Sequence, residues 1–163
     1  MRLCIVSGGQ TGADRAALDV ALILGLPIDG WCPRGRWAED GAIPSRYPLR
    51  ETAGEDPGER TRANVRDSDA TLVLTLGAPD TGTDLTIAAA AAWAKPCAVV
   101  DLTVPGIEAV ARDWLRRVQP RRLNVAGPRE SSAPGLYGRA HALLLNVFRD
   151  VGIDDDLDEP IAR

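Results

Sequence analysis

Two short strings of the same form, Thr11-Gly12-Ala13-Asp14 and Thr81-Gly82-Thr83-Asp84, each follow a β-rich run and open a stretch with helical spacing. T-G-x-D at a helix start reads as an N-cap threonine with an acid at the third helical position, as in a capping box. Each string sets the positive end of a helix, with free backbone N–H groups, at one edge of a sheet. Paired helix ends of that kind suit an anion, phosphate above all. Gly8, Gly9 and Gly12 let such a ligand come close to the main chain. Asp14 and Asp84 would repel a phosphate unless they cap their own helices or bind ribose hydroxyls, and the second role is expected for at least one of them. The plainer alternative, two well-capped turns, explains each string singly. The matched pair at one edge favours the anion site.

A third loop, Asn124 to Ser132, follows a strand candidate and leads to a further helix, with Pro134 suited to its first turn. Its Gly127, Arg129, Ser131 and Ser132 can complete the same site. A long segment, Pro33 to Glu59, holds Arg34, Arg36, Trp37, Arg46 and Tyr47, and Arg60, Arg62 and Arg66 come next. An aromatic among arginines can stack a base while the guanidiniums grip phosphates. The same set also fits a solvated surface with one packed tryptophan. His141 falls inside the last helical stripe and reads as packing or surface. Cys4, Cys32 and Cys97 lack the close ligand pairs of a metal site, so no metal is expected. No serine lies in a G-x-S-x-G elbow.

The elements that must position these residues alternate along the chain. Strand runs are read at Arg2–Val6, Ile28–Cys32, Ala70–Leu76, Cys97–Leu102 and Arg122–Ala126. Helical spacing joins Ala16, Ala17, Val20, Ala21 and Leu24; residues Gly82 to Ala94; Ile107 to Val118, with Pro105 in its first turn; and Leu136 to Val151. Thr61 to Asp67 reads as one or two helical turns, and Pro33 to Glu59 has no period. Alternation of this kind implies right-handed βαβ units. The expected fold is an α/β, Rossmann-like three-layer sandwich with a mainly parallel sheet of about five strands. Ligands of such sheets bind beyond the carboxyl ends of the strands, where the strand order reverses.

The bulk numbers agree with one domain over residues 1–153 and an acidic tail over 154–163. The chain has 163 residues, 45% hydrophobic and 26% charged, an ordinary globular balance. A net charge of −4 argues against general binding to nucleic acid or to anionic membrane. No apolar run is long enough to span a bilayer, and three unpaired cysteines fit free thiols in a reducing cytoplasm.

Several long motifs carry a resemblance: SGGQTGADRAALDVA (Ser7 to Ala21), GWCPRGRWAEDGAIPSRYPLRET (Gly30 to Thr52), RTRANVRDSDATLVL (Arg60 to Leu74), GTDLT (Gly82 to Thr86) and LNVAGPRES from Leu123. Over nearly its whole length the chain resembles the molybdenum carrier (molybdenum cofactor carrier-like) proteins. These are a Rossmann-like branch of the SLOG superfamily, which includes the Lonely Guy proteins and the DNA-processing protein A fold. The resemblance implies a nucleotide-derived ligand, and the carrier name implies molybdenum cofactor, a pterin bearing a phosphate, as cargo. It also implies a homo-oligomer. Carried over by motif, the ligand residues are Gly8, Gly9, Gln10, Thr11 and Gly12, then Gly82 and Thr83, then Arg34 and Arg36. Lonely Guy phosphoribohydrolases show P-G-G-x-G-T-x-x-E. Here the matching stretch runs from Ala78 to Thr86, and Thr86 stands in the glutamate position. A threonine cannot serve as the carboxylate, which counts against the same hydrolysis and leaves Asp14 and Asp84 as candidate catalytic acids.

Three readings follow: a binding or carrier protein for a phosphate-bearing, nucleotide-like small molecule; a nucleotide-processing enzyme or nucleotide sensor; and a nucleic-acid module, which the charge disfavours.

Overall fold

A computed structural model describes residues 2–152, so the acidic tail expected over residues 154–163 lies outside the described residues. In chain order the elements are β1 Cys4–Val6, α1 Ala13–Leu24, β2 Ile28–Asp29, β3 Trp31–Cys32, β4 Trp37–Ala38, β5 Gly41–Ala42, β6 Arg50–Glu51, α2 Pro57–Arg66, β7 Ala70–Thr75, α3 Thr81–Ala92, β8 Cys97–Asp101, α4 Ile107–Val118, β9 Arg122–Ala126 and α5 Leu136–Gly152. Five strands form one parallel sheet in the order β2-β1-β9-β7-β8. Helices α1, α4 and α5 pack together on one face and α2 with α3 on the other. This is the expected Rossmann-like three-layer α/β arrangement.

Strands buried on both faces read as continuous apolar runs. All six residues of β7 are buried. Ala70, Leu72 and Leu74 join the core under α1, α4 and α5, so Thr71, Val73 and Thr75 face the other layer. On β9 the same alternation sends Leu123 and Val125 into that core and Asn124 to the opposite side. α5 fills the core with Leu136, Ala140, Leu143, Leu144, Val147 and Phe148, the stripe its spacing predicts.

The strand order carries a topological message. Read from β7 through β8 and β9 and then on to β1 and β2, as though α5 ran into β1, it becomes 2-1-3-4-5, a doubly wound order whose reversal falls between β7 and β9. β9, the last strand among the described residues, therefore sits in the middle of the sheet.

Several local expectations are corrected. The strand expected over residues 28–32 is two pieces: β2 pairs with β1, whereas β3 leaves the sheet and pairs with β6. The segment read as having no period contains the β4–β5 hairpin, β6 and the start of α2. α2 is a full helix from Pro57, with the Asp56 carboxylate accepting the Gly58 N–H at 2.9 Å. Pro105 and Pro134 stand before their helices rather than in the first turns.

Candidate functional site

A cleft of about 400 Å³ opens at the carboxyl edge of the sheet, bounded by the loops after β1, β7 and β9, the first turns of α2 and α3, and Trp37. This is the position that the strand-order reversal selects. All three loops named from the sequence reach it, through Gly8 and Gln10, through Asp80 to Gly82, and through Asn124 to Arg129 with Ser132.

The first loop brings in Asp14, only 6% exposed. Its Oδ2 accepts from Arg60 Nη1 at 3.2 Å and from the Gln10 N–H at 3.3 Å. Burial pushes its carboxyl above the usual carboxylate range, against the weaker opposing pull of Arg60 and of the Gln10 and Gly8 amides. Gly8 makes the pair possible, because a Cβ there would lie 2.1 Å from Arg60 Nη1. Arg60 lies mostly inside the protein and its Nε has no partner. The guanidinium thus reaches the cleft wall with Nη1 held by Asp14, while its Nε is enclosed by the protein without a partner. Loop amides that could have faced a ligand are turned on Asp14 instead.

The second loop differs from its sequence reading. The N-cap of α3 is Asp80, not Thr81, and its carboxylate accepts the Thr83 N–H at 2.8 Å. Thr81 and Gly82 are the first helical residues, whose N–H groups have no intrahelical acceptor. Gly82 is exposed, and a Cβ there would meet nothing closer than Asp80 Oδ1 at 3.7 Å. Thr83 is buried, its Oγ1 without a partner, and does not line the cleft. Asp84 is exposed and also lies off the cleft.

Other expected residues hold the loops together. The N-cap of α1 is Gly12, with φ 81° and no side-chain cap, so Thr11 is not the cap. Its hydroxyl hydrogen-bonds Glu39 and accepts the Glu130 N–H at 3.1 Å. A Cβ on Gly12 would come within 2.4 Å of the Pro128 carbonyl oxygen, so the third loop rests directly on the first. The Gly9 carbonyl accepts from Arg15 Nε at 3.2 Å and Nη2 at 3.0 Å. Arg34 pairs with Glu55 at 3.1 Å on the surface. Arg36 donates to the carbonyls of Ile43 and Leu49 at 3.1 Å and of Pro44 and Tyr47 at 2.9 Å. Neither arginine lines the cleft; Arg60 and Arg129 do. Tyr47 is fully buried with Arg46 stacked 4.7 Å from its ring centre.

His141 packs beside Tyr137 with ring centres 5.8 Å apart, and Cys4, Cys32 and Cys97 are unbridged. Among the described residues no helix is long and apolar enough to cross a membrane.

The sequence model of the circularly permutated YpsA SLOG family matches residues 5–148. The chain belongs to this family. The family's name speaks of a circular permutation, and in this chain moving β1 and β2 behind β9 gives a doubly wound strand order. The chain is also similar to a solved structure named "Putative molybdenum carrier protein" from Syntrophus aciditrophicus SB, with 43% sequence identity and a TM-score of 0.85, over 90% of this chain and 94% of that one. No match was found among curated proteins.

Proposed function

We propose that the cleft binds a phosphate-bearing, nucleotide-like small molecule, with phosphorylated pterin of the molybdenum cofactor type as candidate cargo. The observation that carries this reading is Arg60. It is a largely buried guanidinium that lines the cleft, and the cleft is also lined by the first-turn residues Thr81 and Gly82 of α3. A guanidinium with helix-end amides suits phosphate oxygens. A volume of about 400 Å³ falls in the range of small-molecule sites. The Syntrophus aciditrophicus protein is named for carrying molybdenum, and that name favours a molybdenum-bearing cargo. Phosphate goes to Arg60, Arg129 and the α3 amides, while Gly8 and Gln10 border it from the first loop. A homo-oligomer belongs to the same reading.

Calorimetry with GMP and with 6-hydroxymethylpterin phosphate tests it. Arg60→Gln is expected to weaken binding roughly tenfold or more, the scale of a lost charge-assisted hydrogen bond. Unchanged affinity, or no binding of either probe by the native protein, sinks the proposal. Native mass spectrometry of the purified protein then identifies any cargo.

A second reading has its own observation. Asp14 is a cleft carboxyl held above its ordinary range by burial, the property expected of a general acid or base. Turnover that disappears in Asp14→Asn while binding persists would make the protein an enzyme.

A further inference from the structure

We infer that Trp37 is the stacking wall of the cleft and takes a planar fused heteroaromatic ring, nucleobase or pterin, on the phosphate-bearing molecule. The inference rests on the proposed function and adds a ring-recognition residue to it. Trp37 is a large apolar side chain left 52% exposed on the wall of the cleft. An exposed indole scattered on a surface needs no explanation. This one is held in place from both sides.

Arg36, the preceding residue, adopts φ 54°, a left-handed conformation that costs a non-glycine residue energy and clusters at ligand clamps. Its guanidinium ties the hairpin's base to four carbonyls between Ile43 and Leu49. At the hairpin's turn, the Glu39 N–H donates to Gln10 Oε1 at 3.0 Å, and its carboxylate accepts from Thr11 and from the Ser131 N–H at 3.1 Å. Asp40 is gripped by Arg15 at 3.0 and 3.1 Å. The hairpin is therefore fixed to the first and third loops, the two that also border the anion end of the cleft, and the main chain that carries the indole is pre-positioned relative to that end. Stacking on a preset aromatic is tolerant of which ring it receives, so a nucleobase and a pterin share one chemistry here.

The test measures affinities of ribose 5-phosphate, GMP and 6-hydroxymethylpterin phosphate for the native protein, Trp37→Ala and Trp37→Tyr, with thermal melting as a folding control. The two ring-bearing probes should bind at least about tenfold tighter than ribose 5-phosphate. Trp37→Ala should remove most of that gap, Trp37→Tyr should keep it, and ribose 5-phosphate should bind all three proteins alike. Ring-bearing probes should also quench native tryptophan fluorescence, and less so in Trp37→Tyr. The larger of the two ring gaps tells nucleobase from pterin. Equal binding of ringed and ringless probes overturns the inference while leaving phosphate binding in place. A gap that survives in Trp37→Ala, or a loss shared by ribose 5-phosphate, also overturns it. No binding of any probe overturns the inference and the proposed function together.

Discussion

The two T-G-x-D loops share three of four residues and do opposite work. In the first, Gly12 is pressed against the third loop, Thr11 ties that loop to the hairpin, and Asp14 is buried against Arg60. In the second, Gly82 is open, Thr81 begins the helix, and Asp84 faces solvent. The residue before each string decides much of the difference. Gln10 leaves α1 without a side-chain cap, whereas Asp80 caps α3 and leaves its first amides toward the cleft. Nearly identical short strings thus become a structural joint in one place and a cleft-facing helix end in the other.

The sharpest way to break the comparison is a methyl group on each glycine. Gly12→Ala combines a positive φ with contact against a backbone carbonyl and should cost about 3 kcal/mol or more of unfolding free energy. Gly82→Ala should leave stability within about 0.5 kcal/mol yet weaken ligand binding. Urea denaturation and calorimetry on both variants check this, and equal destabilisation would erase the asymmetry.

The acids come next. Asp14→Ala leaves Arg60 and the Gln10 amide facing each other without an acceptor and should cost about 2 kcal/mol, while Asp84→Ala should stay within about 0.5 kcal/mol. The sign of the pH effect follows from burial. The folded state holds the Asp14 proton more tightly than the unfolded chain does. Its stabilising contribution is full below the ordinary carboxylate range, near pH ~4, and is lost as pH rises through the raised value. The stability of the native protein relative to Asp14→Asn should therefore fall as pH increases from about 4, measured by denaturation at a series of pH values. A difference that grows with pH contradicts the raised carboxyl.

The smallest effect lies at the caps. Asp80→Ala should cost about 1 kcal/mol and Thr81→Ala only a few tenths of that. A larger loss in the threonine variant would restore threonine as the cap.

The sheet and the cleft's address were legible because buried parallel strands and amphipathic helices announce themselves by apolar period. β7, β9, α1 and α5 are read close to where they lie. The hairpin and β6 were not, since strands of two residues have no period to show. α2 was cut short because its buried face is only Ala63, Asn64 and Val65, although Asp56-Pro57 is a readable start. For the site, glycine-rich loops and the arginine cluster point to the edge where the cleft lies. Which arginine faces the cleft was not readable. Arg36 binds carbonyls of a segment that exists only once the loop has folded, and Arg60 reaches the cleft because α2 runs a full turn longer than its composition suggests.

The central place of β9 has a consequence for synthesis. On a ribosome, the β1–β2 and β7–β8 pairs emerge with no hydrogen-bonded neighbour between them, because the strand that joins them is residues 122–126. A chain stalled before that point holds two half-sheets and no keystone. The cleft, lined by Asn124 to Arg129, comes into being only when the last strand slides between them.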